Sequence, residues 1–340
     1  VHLADLLRLR TRPAAGLLLA LTDRCPLSCA HCSTRSGPGA PQYGAAPFLR
    51  FAETFTAADR PEAVLMSGGE PLLRPALVAG IAARCRAVGA RTAVLSGMFF
   101  ARDGRVPPPV LRALAGVDHF SASLDAFHER EVPRAGALAA LETVAGLVPE
   151  VSVHITSDDD AYTEAVLADV RAVFGDRVPA LVGRVQPTGR ARAFTAPERA
   201  GPGHAAADPC EFAQWPLLDI DGTVLACPRQ SLARRHRPRH LIIGHAERDG
   251  WPEIRRRSAQ DAVLRAVRVL GPVETARRTG SPVCDGYCAT CVGLGAAPEV
   301  PAGMTVAVEA LLDGLRPRDL ARRWGAGRFG DAVELGWRGR

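Results

Sequence analysis

The 340-residue chain contains no lysine and no asparagine. Its 42 basic residues are therefore all arginine, set against 36 Asp and Glu for a formal net charge of +6. The missing lysine excludes Schiff-base and pyridoxal-phosphate chemistry on a side-chain amine, and it excludes a Walker A phosphate loop. The missing asparagine excludes an N-glycosylation sequon. A GC-rich genome, whose codons favour Arg and Ala, accounts for both absences. No run approaches the ~18 uncharged apolar residues of a membrane span, so no membrane partner is expected. The start, Val1-His2-Leu3-Ala4-Asp5, has no cationic region ahead of an apolar core. No signal peptide is therefore expected, and the expected location is cytoplasmic. A pI near 9.0 raises the question of nucleic acid, but the arginines are scattered, densest at Arg234–Arg239 and Arg255–Arg257. Solvated surface is the favoured reading of them, and nucleic acid is not an expected partner.

What is present is an ordinary globular composition, 47% hydrophobic and 23% charged. Short apolar runs at Leu17–Thr22, Ala63–Ser67, Thr92–Ser96, His119–Leu124, Val151–Thr156 and Leu181–Gln186 read as strands. Between them Phe48–Phe55, Pro75–Val88, Val110–Leu114, Gly136–Leu147 and Tyr162–Phe174 read as helices. Six β/α units predict an α/β fold, a partial (β/α)6 barrel of the TIM type. Polar residues share one face of three successive strands: His119, Ser121, Ser123 and Asp125, then Ser152, His154 and Thr156, then Arg184 and Gln186. A lumen holding a polar ligand is expected, with an open sheet wet on one face as the alternative. After a Pro- and Gly-rich stretch, Leu217–Asp219, a turn at Asp221-Gly222 and Val224–Ala226 predict a β-hairpin. Leu241–Ile243 and a helix over Trp251–Leu270 follow. The expected division is an extension over 1–16, the barrel over 17–196, a linker over 197–209, a small hairpin-and-helix domain over 210–295 and a tail of two short helices over 296–340.

The nine cysteines carry the chemistry. Cys25, Cys29 and Cys32 are spaced C-x3-C-x2-C, and Cys284, Cys288 and Cys291 repeat that spacing. Without a secretory signal, so tight a local spacing suits a metal better than disulfides. The first triplet follows the first strand, where barrel enzymes build their sites. Four thiolates close an iron–sulfur or zinc site, whereas three leave one metal position open for an outside ligand. Cys85, inside a helical stretch, reads as an ordinary thiol.

Cys25-Pro26-Leu27-Ser28-Cys29-Ala30-His31-Cys32 resembles the cluster loop of the radical S-adenosylmethionine (SAM) superfamily. Ser67-Gly68-Gly69-Glu70-Pro71 is similar to that family's GGEP element, and Ser121–Asp125 to its fourth-strand element. Pro187-Thr188-Gly189-Arg190-Ala191 is similar to the turn that often leaves its sixth strand. The family position before the third cysteine is often aromatic; here it is His31. The resemblance implies that Cys25, Cys29 and Cys32 bind three irons of a [4Fe–4S] cluster, whose fourth iron chelates SAM. It implies SAM contacts at Gly68, Gly69, Ser123, Asp125 and the backbone near Gln186, with Glu70 ordering its loop. A helix cap is the alternative role for Ser123 and Asp125. The expected chemistry is reductive cleavage of SAM to a 5′-deoxyadenosyl radical that abstracts hydrogen from a substrate. Cys210, Gly222, Cys227 and Cys288-x2-Cys291 resemble the "twitch" relative of the SPASM domain, which carries one auxiliary [4Fe–4S] cluster. Cys284 is a fifth cysteine competing for four iron positions, and a zinc site there remains an alternative.

Relatives with auxiliary clusters modify ribosomally made peptides, by crosslink, thioether, epimerisation or oxidation, or they oxidise small sugar- or cyclitol-like molecules. The peptide reading is preferred, with the small-molecule dehydrogenase or epimerase as the alternative. The 24 residues before Cys25 are too few for a fused leader-binding domain, so a separate leader-peptide-binding protein is an expected partner. So is a flavodoxin- or ferredoxin-type reductant. A reading from another class is a zinc-bound, nucleic-acid-binding protein.

Overall fold

The computed structural model describes residues 1–10, 12–196, 209–210, 212–229, 236–295 and 332–333. Most of the expected linker and all but two residues of the expected tail fall outside these. A short helix, α1 (Leu3–Leu9), leads into the first strand, β1 (Gly16–Ala20), which is buried at every position. Strand and helix then alternate: α2 (Ala46–Glu53), β2 (Ala63–Ser67), α3 (Pro75–Val88), β3 (Arg91–Ser96), α4 (Pro108–Leu114) and β4 (His119–Ser123). After β4 come α5 (Ala126–Glu129), α6 (Arg134–Ala145), β5 (Glu150–Thr156), α7 (Asp160–Phe174) and β6 (Ala180–Gly183). All neighbours from β1 to β6 pair in parallel, in chain order. This is the expected α/β architecture, and β1 and β6 are not paired to one another, so the barrel is partial. Parallel strands covered by crossover helices must be apolar on both faces. Leu17, Leu19, Val64, Met66, Val94, Phe120, Val153 and Ile155 accordingly share one core.

Three segments differ from expectation. The sixth strand ends at Gly183 rather than Gln186, so Arg184 and Gln186 lie on the loop beyond it. His119 does not face an open lumen: it is buried, with Nε2 2.8 Å from Ser152 Oγ and Nδ1 2.7 Å from the Val1 carbonyl. A polar pair at the start of the strands is thus satisfied internally, as a buried polar group must be. The expected single helix over Trp251–Leu270 is two, α8 (Trp251–Gln260) and α9 (Ala262–Thr279), and α9 is itself broken at Gly271 (φ +79), just past the expected end. Asp261 separates them because its extended backbone frees its carboxylate to accept from the Leu264 amide at 2.9 Å, an N-cap that starts α9. A short helix, α10 (Tyr287–Gly293), follows and carries Cys288 and Cys291.

The hairpin after the linker joins the barrel sheet. Strand β7 (Leu217–Leu218) pairs in parallel with β1, and β8 (Thr223–Leu225) and β9 (Ile242–His245) extend the sheet antiparallel beyond it. Gly222 has φ +89, the positive value the turn demands. At the other edge β10 (Ala332–Val333) runs antiparallel to β6. Leu217, Leu218, Val224, Leu225, Trp251 and Ile254 belong to the same apolar core as β1. The Trp251 ring meets Phe55 edge-on at 5.9 Å, and its amide donates to Thr54 Oγ1 at 2.8 Å, which fastens α8 to the end of α2.

Trp215, just before β7, donates its indole N–H to the Leu9 carbonyl at 3.0 Å. Its ring lies so close to Gly16 that an added Cβ would collide with ring carbons. Gly16→Ala is expected to destabilise the protein by about 1–3 kcal/mol through overpacking, read as a lowered thermal midpoint. An unchanged midpoint would mean that the Trp215 ring is not seated there.

Candidate active site

The chain leaves β1 into the cysteine loop, and the backbone of the glycine-rich element holds that loop's start. The Leu21 amide donates to the Ser67 carbonyl at 2.9 Å, Gly69 N to Thr22 O at 2.6 Å and Glu70 N to Arg24 O at 2.8 Å. This approach is why glycine is required. A Cβ at Gly68 (φ +126) would strike the Thr22 carbonyl, and one at Gly69 would strike Arg24 O.

Glu70 is fully buried and turns inward, away from solvent. Its carboxylate accepts from the Leu72 amide, the Ser96 hydroxyl and the Gly97 amide, each at 3.0 Å. It thus ties the loop after β2 to the end of β3. Burial pushes its pKa up from 4.5 to about 7, against the pull of those donors.

From the far side of the sheet, the turn after β6 straps the same loop. Arg190 donates from Nε to the Cys29 carbonyl at 2.9 Å and from Nη1 to Ser36 O at 2.6 Å, while its amide donates to Cys32 O at 2.9 Å. Gly189, at φ +55, lies against the Cys32 carbonyl where a Cβ would clash. Sequence reasoning recognised this turn but did not assign Arg190 a role. The signal was an arginine after a glycine that packs on the cluster loop.

Ser123 closes β4, in register with His154 of β5. Asp125 caps α5: its Oδ1 accepts from the Phe127 and His128 amides at 3.0 and 3.1 Å. Its other oxygen lies 2.9 Å from His128 Nδ1 and 3.5 Å from His31 Nε2. The carboxylate is buried, and although burial alone would raise its pKa, the histidines hold it low. Burial disfavours the charged ring of His128, but Asp125 and the Cys29 sulfur outweigh that and raise it to about 10. His31 goes the other way, pushed down to about 4 by burial, and its ring stacks on Phe127 at 4.4 Å. The sequence singled out Asp125 but missed His128, three residues on and therefore one helical turn away.

The cysteines form two groups. Burial pushes Cys25 up to about 12, with Cys29 and Cys32 adding to the shift. Cys210, Cys227, Cys288 and Cys291 form the second group. Burial raises Cys210 to about 11 and raises Cys227 and Cys291 as well, and the thiols of this group reinforce the shift in one another. Cys284 packs beside the helix that carries Cys288 and Cys291: its sulfur lies against Gly293 of α10, where an added Cβ would come within 2.9 Å, and its amide donates to Thr290 Oγ1 at 3.1 Å. Cys85 is buried in α3 under the sheet. His240 Nε2 lies 3.8 Å from Cys291 Sγ, another contact that the sequence did not announce.

The donor set fits iron–sulfur clusters. A tetrahedral zinc draws its sulfurs to about 3.8 Å from one another. Among the described residues, the one group of three such ligands whose atoms all lie within 4.8 Å of one another is His31, Asp125 and His128, not a set of cysteines. The sulfurs are thus spread more widely than a single ion holds them. Buried thiolates also call for a nearby positive charge, which a bound cluster supplies.

The described residues thus combine a parallel partial barrel, a three-cysteine loop after β1 and a glycine clamp after β2. The family model described as "Radical SAM superfamily" matches residues 19–157 of this chain. No curated protein matches the chain in sequence. Among solved structures the chain is similar to Streptococcus suis SuiB bound to precursor peptide SuiA. The identity is 13% and the TM-score 0.52, with 78% of this chain and 69% of that one covered. It is also similar to a histidine-tagged form of anSMEcpe with bound AdoMet, at 11% identity and TM-score 0.51, covering 88% of this chain and 98% of that one. BtrN in complex with AdoMet and 2-DOIA aligns at 13% identity and TM-score 0.47, covering 78% and 89%. At these identities the likeness is one of fold. No helix among the described residues is long and apolar enough to cross a membrane.

Glu70 generates a pH test. Its folded-state pKa of about 7 exceeds the ordinary 4.5, so its contribution to stability is full below about 4.5 and is lost as pH rises through about 7. Glu70→Gln cannot ionise. The stability of the wild type relative to this variant is expected to fall by roughly 3 kcal/mol across that window, measured by anaerobic urea unfolding. A difference that does not change with pH would show that Glu70 is not the buried acid described.

Proposed function

We propose that this protein is a two-cluster radical SAM enzyme that modifies a ribosomally made peptide. The carrying observation is the doubly strapped Cys25–Cys32 loop: three thiols at the mouth of β1, clamped by Gly68 and Gly69 on one side and by Gly189 and Arg190 on the other. Cys25, Cys29 and Cys32 would hold the [4Fe–4S] cluster that binds SAM. When bound, that cluster supplies the electron that cleaves SAM and yields the 5′-deoxyadenosyl radical.

The chain's own residues prepare this chemistry. Gly68 and Gly69, the residues we assign to the methionine part of SAM, let the backbone after β2 pass close over Thr22–Arg24 at the start of the cysteine loop. Glu70, turned inward, fixes their conformation rather than meeting the ligand. Asp125 fixes the first turn of α5 and draws charged His128 toward Cys29, so a positive charge stands beside one cluster thiolate. Ser123, which ends β4, and Gln186, on the loop after β6, are the residues we assign to ribose and adenine.

Cys210, Cys227, Cys288 and Cys291 are the ligands we assign to one auxiliary cluster, leaving Cys284 outside it. The mutual effects among these four thiols support that choice. Support for a peptide substrate comes from the fold shared with SuiB, which was solved with its precursor peptide SuiA. A flavodoxin- or ferredoxin-type protein would deliver the electron, and a separate protein would present the peptide leader.

Anaerobically reconstituted protein, given dithionite and SAM, is expected to form 5′-deoxyadenosine, and the triple change Cys25→Ala, Cys29→Ala, Cys32→Ala is expected to abolish it. Cleavage that survives the triple change but disappears when Cys284, Cys288 and Cys291 are replaced would reverse the assignment of the two cysteine sets. Deuterium transfer into 5′-deoxyadenosine from a labelled precursor peptide encoded nearby would support the peptide substrate. Transfer from a labelled cyclitol and not from the peptide would replace that reading with small-molecule oxidation.

A further inference from the structure

One side chain spans the gap between the two cysteine sites. Arg229 lies two residues beyond Cys227, and its Nη1 donates to Cys288 Sγ at 2.6 Å. Its Nη2 donates to Gln186 Oε1 at 3.3 Å, and its guanidinium sits over the Phe212 ring, 5.3 Å from the centroid. Gln186 in turn belongs to the segment that leaves β6: its carbonyl accepts from the Thr188 amide at 2.6 Å, immediately before Gly189 and Arg190 grip the Cys29–Cys32 loop. One planar, permanently charged group therefore touches both a ligand of the auxiliary site and the strap of the SAM-cluster loop. Arginine suits this position because its forked donors serve two acceptors at once, while its face stacks on an aromatic ring.

We propose that Arg229 tunes the auxiliary cluster, setting its reduction potential through the Cys288 sulfur and fixing that site against the Gln186 loop. The inference rests on the assignment of Cys210, Cys227, Cys288 and Cys291 to a [4Fe–4S] cluster. Its physical basis is simple. When the cluster takes one electron from an external one-electron reductant, no bond is made or broken, and the cluster with its thiolates gains one negative charge. A cationic donor on a ligand sulfur stabilises that more negative state and raises the potential. Without the donor, reduction becomes harder.

The test uses the full chain carrying Cys25→Ala, Cys29→Ala and Cys32→Ala, so that only the auxiliary site can hold iron. The midpoint is read by electron paramagnetic resonance during a mediated dithionite titration, and iron is counted in the same samples. With Arg229→Gln, or with Arg229→Met, which keeps a stem against Phe212, the equilibrium constant for reduction is expected to fall about tenfold. For one electron that is a midpoint about 59 mV lower. A midpoint that stays put in a variant with full iron overturns the tuning role and leaves the cluster assignment standing. A parent that binds no iron overturns the cluster assignment itself. If neither variant assembles a cluster, Arg229→Lys decides. Full iron with Lys supports a requirement for positive charge at Cys288, and no iron with Lys overturns tuning in favour of a purely structural arginine.

Discussion

The site depends on one backbone contact, the close passage of Gly68 and Gly69 over Thr22–Arg24. Hydrogen bonds from Gly69 N and Glu70 N to the carbonyls of Thr22 and Arg24 continue the β1–β2 pairing past the ends of the strands. The cysteine loop therefore begins from a fixed direction rather than as a free excursion. No other residue type tolerates the separation, because a Cβ at either glycine would overlap a carbonyl. Glu70 holds the clamp shut from behind by joining it to Ser96 and Gly97. Arg190 closes the loop from the opposite rim.

Charge is the second constraint. Burial raises Cys25 in the first group and Cys210, Cys227 and Cys291 in the second well above the ordinary thiol range, so these sulfurs are not at ease as bare thiolates. The cations near them are few and specifically placed. His128, held charged by Asp125, stands at Cys29, and Arg229 donates to Cys288. Arg190 adds a second cation at the first loop, through the Cys29 carbonyl, and in our proposal a bound metal group supplies the rest of the neutralising charge. That is the physical ground on which we propose them as cofactor sites, in contrast to Cys85, which is buried in the core.

Much of this was legible in the sequence, because the informative signals were local. The strand runs mark β1 to β5 closely, since buried parallel strands read as uninterrupted apolar segments. Pro75–Val88 is legible to the residue because a proline opens it and Gly89 closes it at φ +78. The cysteine triplets and Gly68-Gly69 could be read because spacing and glycine are visible without a fold. What stayed hidden was set by tertiary contact. The pairing of β7 with β1 joins Leu18 to Leu217, far apart in the chain, and no local pattern announces it. His119 looked like a lumen residue because strand parity does not show what plugs the strand's start. Arg190 and Arg229 were invisible for the same reason, since their partners lie on other elements, and so was the approach of His128 to Cys29, although its other partner, Asp125, is one turn away.

The proposed function requires an open iron at the Cys25–Cys29–Cys32 loop and a closed cluster at the second cysteine group. Mössbauer spectroscopy of protein reconstituted anaerobically with enriched iron addresses both directly, recorded with and without SAM. The account predicts about eight irons per chain in two [4Fe–4S] clusters, with a single iron site changing its parameters when SAM is added. Stoichiometric zinc in place of iron, or an iron spectrum indifferent to SAM, would contradict it.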